Sequence, residues 1–95
     1  MPAGLGVELE DLEAEGPRGI GTRKPAGVYI SRVTAGSAAD RKDIQPGFRV
    51  ISVNQRAVAT ARDARRAIEA VRSGEIVSLL LEDAEGTFIA NVRIP

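Results

Sequence analysis

The chain has 95 residues, 43% of them apolar and only 3% aromatic, which sets the expectation of one folded domain with an aliphatic core over residues 4–95. Thirteen basic residues balance thirteen acidic ones, so no bulk field draws the chain to nucleic acid or to an anionic membrane. Histidine and cysteine are both absent, which excludes a Ser-His-Asp triad, a Cys-His pair, disulfides and thiolate or imidazole metal sites within this chain. Nothing in the composition calls for a metal or a cofactor. No apolar run is long enough to insert in a membrane, and Met1-Pro2-Ala3 is read as a start or a carried-over tail outside the domain.

In chain order, Gly4-Leu5-Gly6 comes first and runs at once into Val7-Glu8-Leu9-Glu10. Glycines permit a turn that aims successive N–H groups into one concavity. Val7 and Leu9 then share one face and Glu8 and Glu10 the other, the period of a half-buried strand. Taken alone, this stretch fits a plain glycine turn before a strand as well as an anion-accepting loop. Residues 13–26 are rich in Gly, Pro and charge and read as an exposed loop. Within it, Gly16-Pro17-Arg18-Gly19 matches a nucleic-acid backbone clamp in form, but its proline and its missing helical flanks favour a solvated surface.

Residues 27–33 are β-branched and alternating, so a strand with Val28, Ile30 and Val33 toward the core. Ser37 caps a short helix expected over 38–43, Pro46-Gly47 turns the chain, and 48–53 form the next strand. Asn54-Gln55-Arg56 turns again, leaving Ala57-Val58 as a two-residue strand. Thr60 caps a helix predicted over 61–73 with Gly74 as its left-handed end. Ala64, Ile68 and Val71 fall on one stripe of that helix, widened by Ala61, Ala67 and Ala70, while Arg62, Arg65, Arg66, Glu69 and Arg72 fill the outer face. Strands over 76–81 and 87–94, joined at Asp83-Ala84-Glu85-Gly86, close the chain as a hairpin. Antiparallel strands with two helices at the ends of a small barrel or sandwich make an α+β domain.

These stretches together resemble a PDZ domain. The resemblance is carried by Gly4-Leu5-Gly6-Val7, by residues 27–33 with Gly36-Ser37-Ala38-Ala39, by Ile44-Gln45-Pro46-Gly47 with Val50-Ile51-Ser52-Val53-Asn54, and by Asp63-Ala64-Arg65-Arg66-Ala67-Ile68. It implies a PDZ-like antiparallel barrel or sandwich of five to six strands with two helices. A surplus last strand and the absence of one before Gly4 resemble the circularly permuted bacterial form, above all the last PDZ domain of HtrA (Do-like) serine proteases. The sequence departs from the family pattern at Asp43 and Gln55, where glycine is usual, at Phe48, where aspartate is usual, and at small Ala64.

What the resemblance implies is a non-catalytic, peptide-binding module. Backbone N–H groups of Leu5, Gly6 and Val7 would hold a peptide carboxylate. The peptide would add as a strand beside Val7, Glu8, Leu9 and Glu10, with its last side chain in a pocket of Val7, Leu9, Ala64, Ile68 and Val71 that small Ala64 enlarges. Partners would be peptides or unfolded proteins with hydrophobic C-termini, together with a protease domain of the same chain in the periplasm or cell envelope. The alternatives are a groove used only for interdomain packing, or a PDZ domain of a site-2 protease, a carboxyl-terminal processing protease or a secretion component. Charges at Glu8 and Glu10 on the strand and at Arg65 and Arg72 on the helix bear on upstream peptide residues with a sign that the sequence leaves open.

Overall fold

A computed structural model describes residues 5–12 and 26–95; Gly4 and most of the expected loop, with its Gly16-Pro17-Arg18-Gly19 run, lie outside the described residues. The elements are β1 (Val7–Leu12), β2 (Gly27–Val33), α1 (Ala38–Arg41), β3 (Arg49–Val53), β4 (Arg56–Ala57), α2 (Ala61–Glu69), β5 (Ile76–Asp83) and β6 (Gly86–Arg93). The strands pair antiparallel in one six-stranded sheet ordered β1-β2-β3-β5-β6, with β4 on β3. The α+β, PDZ-like arrangement and the surplus last strand are both present.

Alternation in the strands becomes a core of aliphatic side chains. Val28, Ile30, Val50, Val53, Val77, Leu79, Leu81 and Val92 point inward, and α2 contributes Ala61, Ala64 and Ile68. Tyr29 is buried as well, on the opposite face of β2 from Val28 and Ile30. Arg49 crosses this outer face to Glu82, its register partner on β5, at 2.7 Å. Burial raises the Tyr29 phenol above its ordinary pKa of 10.0, with Arg49 opposing the shift and Glu82 adding to it. Tyr29 is therefore neutral near pH 7.

Two helices are shorter than the periodicity suggests. The short helix ends at Arg41, and Asp43 sits beyond it with φ 61°, in the left-handed region that glycine would occupy without strain. The long helix stops at Glu69 rather than Ser73. The Val71 amide donates three residues back to the Ile68 carbonyl, and the Arg72 amide donates to Glu75 Oε1 at 3.0 Å. Gly74, with φ +88°, then donates to the Ile94 carbonyl, and Ile94 donates back to Glu75. Bonds to the far end of the chain thus replace the last helical turn.

Smaller differences follow the same logic. The strand expected at Ala57-Val58 is Arg56–Ala57, because Asn54 and Gln55 both take positive φ (50° and 70°) and make the tightest hairpin turn. Strand β5 runs on to Asp83, whose Oδ1 accepts from the Glu85 and Gly86 amides, so only Ala84 and Glu85 remain as the loop. Phe48 stands before β3 rather than in it. Its ring meets Phe88 edge-on at 5.6 Å, so an aromatic pair across to β6 replaces the turn chemistry of the usual aspartate.

Candidate functional site

The site begins with the side chain of Leu5. It is 1% exposed within the core cluster, and it anchors the loop that leads into β1. Two hydrogen bonds then orient the loop backbone. The Ala39 amide donates to the Leu5 carbonyl at 3.1 Å, and the Thr34 amide donates to the Gly6 carbonyl at 2.8 Å. In a trans peptide the N–H points opposite to the C=O of the same plane. No peptide bond among the described residues is cis. The Gly6 and Val7 N–H groups therefore point away from the β2–α1 segment that holds the carbonyls. For Leu5 the matching carbonyl belongs to Gly4, outside the described residues.

Gly6 makes this orientation possible. Its φ is +85°, and a Cβ added there would stand 2.3 Å from Ser37 Cβ. Ser37 cannot retreat easily, because its hydroxyl accepts from the Asp40 amide at the start of α1 while Asp40 Oδ2 accepts from the Gly36 amide. This reciprocal cap fixes the wall against which the glycine is packed.

From Val7 onward the chain is the terminal strand of the sheet, paired only with β2 among the described strands. An irregularity between Glu8 and Leu9 leaves Ser31 as an extra residue on β2, and its hydroxyl donates to the Glu8 carbonyl at 3.2 Å. Val7 and Leu9 are half-buried against the core, whereas Glu8 and Glu10 are exposed. Among the described residues neither glutamate is in an ion pair, and Arg49–Glu82 is the pair present. Among the described residues, no strand pairs with the outer edge of β1.

Helix α2 packs against β1, β2 and β3. Its direction is set by a bond that sequence reasoning missed. Asp11 Oδ1 accepts from the Ala61 amide at 2.6 Å, across 50 positions, so the end of β1 meets the start of α2. Thr60 Oγ1 accepts from the Asp63 amide, and the two carboxylate and hydroxyl acceptors together satisfy separate N-terminal donors of the helix. A carboxylate on the same strand face as Val7 and Leu9 was the available signal, since a charge there needs a donor. Asp11→Ala is expected to lower stability by about 1–2 kcal/mol in urea unfolding, with Asp11→Asn recovering part of the loss because its amide oxygen still accepts. Equal losses for both substitutions would show that the hydrogen bond is not what Asp11 contributes.

The expected pocket residues are not all brought together. Ile68 is 6% exposed and belongs to the core between helix and sheet. Ala64 is 0% exposed, so it is a core residue that offers no surface to a docked side chain in this conformation. Val71 lies beyond the end of α2 and, with Ala67 and Ala70, lines a recess shared with Asn54, Ile76 and Arg93. These last three residues belong to the β3–β4 turn, β5 and β6, and Val71 also packs against the core cluster, as Val7 and Leu9 do.

A model of the PDZ domain family matches residues 1–82, and the chain belongs to that family. No curated protein matches it. Among solved structures it is similar to the "HtrA-type protease AlgW with decapeptide", with a TM-score of 0.82 and 19% sequence identity over 98% of this chain. The chain spans 29% of that protein's length. No helix among the described residues is long and apolar enough to cross a membrane.

Proposed function

We propose that this chain is a peptide-capture module that binds a free C-terminal carboxylate at Leu5, Gly6 and Val7 and takes the preceding residues as an added strand along β1. The observation that carries the reading is the inward turn of the Leu5 and Gly6 carbonyls. It leaves the Gly6 and Val7 N–H groups pointing outward at the start of a strand edge that nothing among the described strands covers. Val7 and Leu9, half-buried on β1, supply the apolar surface for the last side chain. Each buried methylene contributes about 0.8 kcal/mol, which makes micromolar affinity the expectation for a short peptide. The peptide named with the AlgW structure supports the assignment to peptide binding.

On this reading the module serves as the substrate-recognition or regulatory domain of an HtrA-like serine protease of the cell envelope, and its partners are proteins with exposed hydrophobic C-termini. The chemistry of peptide cleavage would reside in another domain, since this chain carries neither histidine nor cysteine.

Calorimetric titration with an eight-residue peptide ending in valine, against its amide-capped twin, tests the proposal. The free acid should bind at micromolar Kd, and the amide about 10- to 100-fold more weakly, because a charge-assisted acceptor is lost. Equal affinity for the two peptides would remove the carboxylate mechanism. Binding of neither would favour the second reading, a packing domain, which draws on Ile89 of β6, 64% exposed on the outer face of the sheet.

A further inference from the structure

We infer that this site selects peptides with a lysine or arginine at the fourth residue from the C-terminus, and that Glu10 is the residue that reads it. The inference rests on the peptide-binding reading above. A carboxylate held at the start of β1 obliges the rest of the peptide to run along the strand toward Leu12, antiparallel to it. The register then follows from one residue per residue: the terminal residue lies opposite Val7, the second from the end opposite Glu8, the third opposite Leu9 and the fourth opposite Glu10.

Directly opposed residues of an antiparallel pair place their side chains on the same face. The terminal and third side chains therefore lie with Val7 and Leu9, on the face that packs against the core cluster. Asp11, of the same parity, reaches the α2 amide of Ala61 from that face, so α2 and its arginines stand on this side of the peptide backbone. The second and fourth side chains lie on the other face, with exposed Glu8 and Glu10.

The two glutamates are not equivalent in register: Glu8 stands opposite Arg32 on β2, whereas Glu10 stands opposite Tyr29, an uncharged phenol near pH 7. The next cation along that row, Arg49, is engaged by Glu82 at 2.7 Å. Glu10 is thus the negative charge on the peptide edge with no cation opposite it among the described residues. A basic side chain at the fourth position gains an opposite-charge cross-strand pair, and an acidic one meets a like charge.

Three free-carboxylate octapeptides identical except for Lys, Ala or Glu at the fourth residue from the end, titrated against the wild-type chain, test this. At about 50 mM salt the lysine peptide should bind about three- to tenfold more tightly than the glutamate peptide, with alanine between them. The ratio should shrink toward one at about 0.5 M salt, where exposed charges are screened. Glu10→Lys should reverse the order, whereas Glu8→Lys should leave the order at the fourth position in place. Equal affinities for the three peptides while the amide-capped control binds weakly would overturn the role of Glu10 and leave the carboxylate reading standing. An unchanged order in Glu10→Lys would do the same. Failure of every free-carboxylate peptide to bind would instead remove the reading on which the inference rests.

Discussion

Gly6→Ala is expected to lower the melting temperature by roughly 10–30 °C and to abolish peptide capture. The reason lies in two separate costs. A residue with a Cβ at φ +85° carries a left-handed penalty of about 1–2 kcal/mol. The same Cβ would sit 2.3 Å from Ser37 Cβ and 2.6 Å from its Oγ, contacts that require one side to move and cost about 1–3 kcal/mol more. Ser37 is held by its cap, so the movement falls on the loop, and with it goes the orientation of the Gly6 and Val7 amides. For a domain of this size each kilocalorie lowers the melting temperature by about 4–8 °C. A thermal melt followed by circular dichroism reads the effect. A variant that melts within about 3 °C of wild type would show that the loop absorbs the methyl group and that the contact with Ser37 is not restrictive.

Leu5→Ala is expected to cost about 2–5 kcal/mol, comparable in size but different in kind. The side chain is 1% exposed among Val28, Ile30, Ala39 and Ile44 of one core cluster, so its removal leaves a cavity that rigid neighbours fill only partly. It changes no backbone angle. The loop keeps its two carbonyl bonds to Thr34 and Ala39 but loses its apolar anchor. The expected result is a large drop in unfolding free energy in urea, with peptide binding weakened yet still dependent on the free carboxylate at temperatures where the variant remains folded. Loss of the carboxylate dependence itself, in a folded variant, would mean that Leu5 shapes the amide orientation directly rather than supporting it from beneath.

Local pattern made much of this molecule legible. Alternation in Gly27–Val33 and the hairpin at Asp83-Ala84-Glu85-Gly86 became strands close to the expected positions, because a period of two is decided by neighbouring residues. Caps at Ser37 and Thr60 were readable for the same reason, as each bonds three residues ahead. The end of α2 was not readable. Gly74 correctly announced a left-handed residue, but the helix stopped earlier because Glu75 and Ile94 compete for the chain, and nothing local reports a partner near the C-terminus. Ala64 illustrates the other limit: a helical stripe shows which residues face inward, not whether inward means a groove or the interior.

The amino-acid sequence by itself determined an aliphatic α+β fold without histidine or cysteine, the PDZ family pattern, and a glycine turn entering an amphipathic strand. Those properties rest on composition, on periodicity and on contacts within a few residues. Tertiary structure alone decided that the Leu5 and Gly6 carbonyls turn inward, that Asp11 joins the end of β1 to the start of α2, that Ala64 belongs to the core, and that Glu8 but not Glu10 faces an arginine. Each depends on a partner brought close only when the sheet closes, and the direction of a peptide plane or the neighbour of a charge is set by that partner rather than by the residue itself.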